Sequence, residues 1–364
     1  FSTRRMKDVI MENIKKKNLL FLSLMLCFLM MPMAHSKTIM RFAIQVPTDH
    51  YLGLHVLQFK EEVEMKSKGE INVIILDYAN YKQAKKNKKT NKEGEEKNQL
   101  PPFYRDNEII DAVASGDVEI GLVSLNRFGS IFPSTDIFNQ PFIFDTDKKL
   151  KKALEKGSLI RENIESAIKK TGYKVLWWQP YGSAIIVSKG KSVQKPEDIK
   201  GKEVRVFGKT MGNLVLVAGG KPVLIPNSRQ HFSYKHRKVE MGMTTVNDIE
   251  RKKIWEVMDT ISITNHASLQ FLSLANSDWW LSLSSGVRSI IMEAAGKVEI
   301  DSRKRLKVLE ENAYLSAMKN GMNIVILSDE DRELWKFKSI PVYQNYIENA
   351  GEDGQLIFDE ANNY

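Results

Sequence analysis

Two apolar-rich stretches, residues 174–188 and 260–273, constrain this chain more than any other feature. Each outruns the five or six residues of an ordinary strand. Between them the sequence spells a complete smaller α/β unit. Its predicted parts are a strand around Arg205, a helix over 210–218, a strand over 222–225, a helix over 230–237 and a strand over 239–245. A chain that enters such a unit along one long segment and leaves along the other passes twice between two domains. Domains joined by crossing strands form a hinge around a cleft.

The segments ahead of the first stretch read as a second α/β unit. A strand over 39–45 is followed by an amphipathic helix over 52–67 and a strand over 70–77, the strand–helix–strand pattern of a parallel sheet. A helix over 105–115 and a strand over 118–124 come next, then a loop over 127–133 and helices over 148–155 and 159–170. The last third is helical, at 287–295, 301–319 and 329–350. These elements predict one domain from 37–180 with 267–312 and another from 181–266 with 313–364. The segment 82–99 is rich in lysine and asparagine and nearly devoid of apolar residues, which predicts a solvated loop insertion.

Charge and compartment follow from local features. Lys15-Lys16-Lys17 precedes an apolar run from Leu19 to Met31, and small residues follow at Ala34 and Ser36. That order predicts a signal peptide over 1–36, cleaved near Ser36/Lys37, and hence a periplasmic protein. The competing reading is an uncleaved anchor, for which the run is short. The only cysteine, Cys27, lies inside the run, so a cleaved chain has no disulfide, thiolate nucleophile or cysteine-bound metal. Of the formal net charge of +9, most sits in 1–36 and in 82–97, where seven lysines face three glutamates. The basic balance is local and makes no general case for nucleic acid.

Arg205 stands mid-strand in Glu203-Val204-Arg205-Val206-Phe207, which alternates polar and apolar. A guanidinium on a strand is rigid, permanently charged and forked to match a carboxylate. Two readings stay open from spacing alone: a surface arginine paired with a neighbouring acid, or an anchor for an anionic ligand.

The ordered pieces EIIDAVASGDVEIGLVSL (108–125), IFPSTDIFNQPFIF (131–144), LWWQPYGSAIIVSKGK (176–191), KPEDIKGKEVRVFGKTMG (195–212), KVEMGMTTV (238–246) and WEVMDTISITNH (255–266) together resemble the solute-binding receptors of tripartite ATP-independent periplasmic (TRAP) transporters. The resemblance implies a type II periplasmic binding-protein fold: two α/β domains around a cleft, crossing hinge strands and a long hinge helix. It implies capture of an organic anion, usually a carboxylate, and delivery to TRAP permease subunits. In the family the arginine of the KGxxxRV context pairs with the substrate carboxylate, and here that residue is Arg205. Many members carry an arginine within the stretch occupied here by Tyr181 to Ile185, and an asparagine within Met241 to Thr245. Neither is present: the missing arginine leans toward a monocarboxylate, and the missing asparagine implies a different ligand shape.

The ligand-binding set expected around Arg205 is therefore Trp178, Gln179, Tyr181, Phe207, Thr244, Thr245 and His266. Strand alternation sends Trp177 and Trp178 to opposite faces, one to the core and one to the cleft. No cofactor, metal or nucleic acid is expected, and the protein is expected to be a monomer. Two rival functions differ in class. A ligand sensor acting with a sensor kinase satisfies the same residues. A periplasmic hydrolase lacks a motif, since the sequence has no HExxH and no GxSxG.

Overall fold

The computed structural model describes residues 37–90 and 102–364. The predicted signal peptide and the end of the lysine-rich segment lie outside them. Strand β4 (Tyr173–Ser188) organises the rest. Its first part pairs antiparallel with β9 (Ser268–Asn276), from Tyr173↔Asn276 to Ser183↔Ser268. From Ala184 onward the same strand pairs with β7 (Met241–Thr245), and its end also pairs with β8 (Thr260–Ile263). One strand thus belongs to two sheets.

The first sheet runs β2 (Ile71–Leu76), β1 (Thr38–Ala43), β3 (Ile120–Ser124), β9, β4. The second runs outward from β4 through β7 and β5 (Glu203–Val206) to β6 (Lys221–Leu224), with β8 and β10 (Asn323–Ile326) on the other flank. β5 is parallel to both β6 and β7, as short α/β crossovers require. Each sheet is covered on both faces. Trp178 packs on one face of the first sheet with Phe138 and Leu272, while Trp177 packs on the other with Phe42 and Phe59. In the second sheet Ile186, Val204 and Val206 meet helix Lys209–Val217, and Ile185, Val187 and Ile261 meet helix Val246–Arg251 and the end of the long helix.

Between its two partnerships β4 bends at Gly182, where the register with β9 shifts. Gly182 has φ 110°, and a Cβ there would come within 2.6 Å of the Glu310 carboxylate. Glycine is the residue that accepts both constraints. Glu310 lies on helix Ser285–Lys319, which spans 35 residues and packs against both sheets.

Three expectations change. The second long stretch is not one strand: β8 ends at Ile263, β9 begins at Ser268, and Asn265 between them has φ 46°. The helices expected at 287–295 and 301–319 are a single helix, because Gly296 is tolerated within it at a cost of about 1 kcal/mol. The lysine-rich segment begins as helix Tyr78–Thr90, not as a loop. Lysine is a good helix former, and Asp77 caps the helix by accepting from Asn80 N at 2.7 Å.

Candidate functional site

Arg205 projects from β5 beside Gly242 of β7 and is 1% exposed. Its Nε donates to the Ile225 carbonyl at 3.0 Å, and its Nη1 donates to the Met243 carbonyl. A Cβ at position 242 would collide with the Tyr234 hydroxyl and stand 2.9 Å from the Arg205 Cβ, so glycine makes room for both side chains. The Phe207 ring, just past the end of the strand, lies 5.8 Å from the guanidinium carbon. Among the described residues no carboxylate lies within ion-pair distance of Arg205. Burial depresses its pKa, opposed by Tyr234 and Asp248 nearby.

Asp248 instead pairs with Lys252 at 3.0 Å. It also accepts from the Tyr181 hydroxyl at 3.4 Å and from the Thr244 hydroxyl at 3.5 Å. Gln230 extends this network, donating to the Tyr234 hydroxyl at 3.2 Å and accepting from Lys252 at 3.0 Å. Burial lowers the Lys252 pKa and pushes the Tyr234 phenol up to about 12. The sequence-expected Arg205, Phe207, Thr244 and Tyr181 are thus gathered in one neighbourhood. Asp248, Tyr234 and Gln230 complete it, and sequence reasoning passed them over. Asp248 stands in the first turn of the helix that follows β7, and its partners on other elements are joined to it only by the fold.

Among the buried polar atoms that lack a hydrogen-bond partner, Thr245 Oγ1, Asn247 Oδ1 and Gln270 Oε1 belong to residues beside the strand crossing, while Gln140 Oε1 and others lie elsewhere. Thr245 is paired with Ala184 and Gln270 with Pro180, on either side of Gly182. Asn247 donates its amide to the Tyr181 carbonyl at 3.0 Å. Such atoms are rare in folded interiors and mark places where a bound group can complete the bonding. A cavity of about 440 Å³ is lined by Phe207, Lys209, Asn126, Asp136, Gln140 and Tyr346. The Thr210 hydroxyl donates to the Asp136 carboxylate and ties the two sides of the cavity together. Burial raises the Asp136 pKa, and the bonds from Thr210 and Asn139 oppose the rise.

Three other expected residues sit elsewhere. Trp178 is fully buried; its indole donates to Glu165 at 2.8 Å and its ring packs on Phe138. Gln179 is fully buried between the Trp177 indole and His55, at 3.2 and 2.8 Å. The structure does not bring either to Arg205. His266 is buried in the segment between β8 and β9, 2.6 Å from the Thr264 hydroxyl, and burial lowers its pKa to about 3. Among the described residues no group of three or more His, Cys, Asp or Glu side chains could hold a metal ion, and no helix is long and apolar enough to cross a membrane.

Residues 42–349 match the sequence model of DctP, the bacterial extracellular solute-binding protein family 7. The C4-dicarboxylate-binding periplasmic protein DctP of Vibrio cholerae is 26% identical over 256 residues, which covers 69% of this chain and 75% of that one. Among solved structures, a TRAP periplasmic solute-binding protein of Chromohalobacter salexigens with bound D-glucuronate superposes with TM-score 0.76 at 19% identity. That match covers 89% of this chain and all of the other. A Bordetella pertussis extracytoplasmic solute receptor binding pyroglutamic acid superposes with TM-score 0.75 at 18% identity, covering 89% of this chain and 99% of the other. The fold is that of the TRAP periplasmic solute-binding proteins.

Proposed function

This chain belongs to bacterial extracellular solute-binding protein family 7, and from that premise we propose that it captures a small organic carboxylate between its two sheets and hands it to a TRAP-type permease. One observation carries the reading: Arg205 is buried, oriented by two backbone carbonyls and without an acidic partner among the described residues. A buried charge is costly unless paired, and a ligand carboxylate supplies the missing partner. The three similar proteins described above are named for a C4-dicarboxylate, for glucuronate and for pyroglutamic acid. Each of these ligands carries a carboxylate.

In this reading Arg205 is the anchor, Phe207 and Tyr181 shape the apolar flank, and Thr244, Thr245 and Asn247 offer hydrogen bonds to the rest of the ligand. Residues 37–180 with 267–312 form one lobe, and 181–266 with 313–364 form the other. A ligand that touches both lobes binds their closed arrangement better and shifts the population toward it. Capture takes place outside the cytoplasm by a monomer without a cofactor. A thermal-shift screen of organic acids against their neutral amides tests this. At a hundredfold excess over Kd a true ligand adds about 2.7 kcal/mol of stability. The expected result is stabilisation by one or more acids and none by the matching amides; equal stabilisation by acids and amides contradicts it.

A further inference from the structure

Helix Tyr78–Thr90 carries five lysines and no acidic residue. Lys82, Lys85 and Lys86 are exposed, and no ion pair engages them among the described residues. Tyr78 and Tyr81 precede the lysines in this helix. The fold brings Phe103 to them, so Tyr78, Tyr81 and Phe103 form one cluster, with ring centroids 5.1 Å apart for Tyr78–Phe103, 6.0 Å for Tyr81–Phe103 and 6.4 Å for Tyr78–Tyr81. Lys82 Nζ stands 5.4 Å from the Tyr78 ring, and Lys85 Nζ stands 5.8 Å from the Tyr81 ring. Tyr78 remains 44% exposed. A purely solvated lysine helix has no reason to keep an aromatic cluster at its base.

We infer that this face docks on an anionic phospholipid bilayer, with the lysines against the headgroups and the tyrosines at headgroup depth. Charge complementarity selects the occupant. Lysines near an anionic membrane are each attracted over about a Debye length, and tyrosine favours the membrane–water interface. Three lysines acting together strengthen binding on the order of a hundredfold. Docking of this kind confines a receptor to the surface in which a permease is embedded, and it needs no contact with the Arg205 site.

The test is flotation of the full chain with phosphatidylcholine vesicles, with and without phosphatidylglycerol. The readout is the excess binding to the anionic vesicles, so any attachment indifferent to charge cancels. The triple variant Lys82→Glu, Lys85→Glu, Lys86→Glu is compared with Lys148→Glu, Lys151→Glu, Lys156→Glu, which changes net charge equally at exposed positions elsewhere. Circular dichroism and thermal unfolding verify that both variants fold. The excess should fall sharply in the first variant, persist in the second, and fall steeply with salt in the wild type. Tyr78→Ala should weaken it while leaving all charges in place. Equal loss in both triple variants, no excess in the wild type, or binding to an acidic polypeptide without binding to vesicles each overturns the inference.

Discussion

Glu299 accepts four hydrogen bonds in the interior: two from Arg161 at 2.6 and 3.0 Å, one from Arg303 at 2.8 Å and one from the Trp178 amide at 3.2 Å. Burial works against the charge on Arg161, and the Glu299 carboxylate outweighs it and raises the pKa. Removing one member of a buried pair leaves the other uncompensated. Glu299→Ala should therefore destabilise the fold by about 3–5 kcal/mol in urea denaturation, a loss that an isolated surface ion pair would not produce. Residues of this kind were hidden in the sequence. Strand alternation assigns Trp177 and Trp178 to two faces, but it says nothing about which face is solvent. Both faces of β4 are covered by helices, so both rings are core. Arg205 stands out in the sequence as a charged residue flanked by two valines, but spacing alone leaves its role open, and the expectation of a carboxylate anchor comes from the family resemblance. The Asp248 network was not legible, because it joins β4, β7 and helix Val246–Arg251 only through the fold.

At the scale of elements, the crossing of β4 is the feature the sequence declared most openly, through its sheer length. Its counterpart was read too simply, since β8 and β9 are separated by a turn that apolarity alone does not reveal. The long helix meets the crossing at Glu310, whose carboxylate accepts from the Ser183 amide. Burial pushes the Glu310 pKa up to about 7, with the Ser183 bond opposing, and Tyr51 and Tyr314 are the ionisable neighbours that feel its charge. The folded state thus holds a proton that the unfolded state releases near pH ~4.3. Stability is full below that value, declines as pH rises toward about 7, and levels off above it at the reduced value. Glu310→Gln should remove the decline and stabilise the protein above pH ~8 by about 1–3 kcal/mol, with little gain below pH ~4. Denaturant midpoints at both ends of that window check the sign.

For the molecule as a whole, two sheets share one strand, one long helix packs against both, and a second, Asp329–Asn362, is anchored in each. Trp335 of that helix donates to the Gln194 carbonyl at 2.8 Å beside the second sheet, and Tyr346 donates to the Ser134 carbonyl at 3.0 Å beside the first. Such connections tie the two sheets together at more than one point. The proposed docking face should retain its lipid preference whether or not ligand is bound. The claim on which the account turns is that a ligand carboxylate is the partner of the Arg205 guanidinium. Calorimetric titration of Arg205→Gln with the acid that most stabilises the wild type tests it most directly. Affinity should fall by roughly thirtyfold to several thousandfold, in line with losing one member of a buried charge pair worth about 2–5 kcal/mol, while the variant still unfolds cooperatively. A folded variant that binds the acid with undiminished affinity would contradict it.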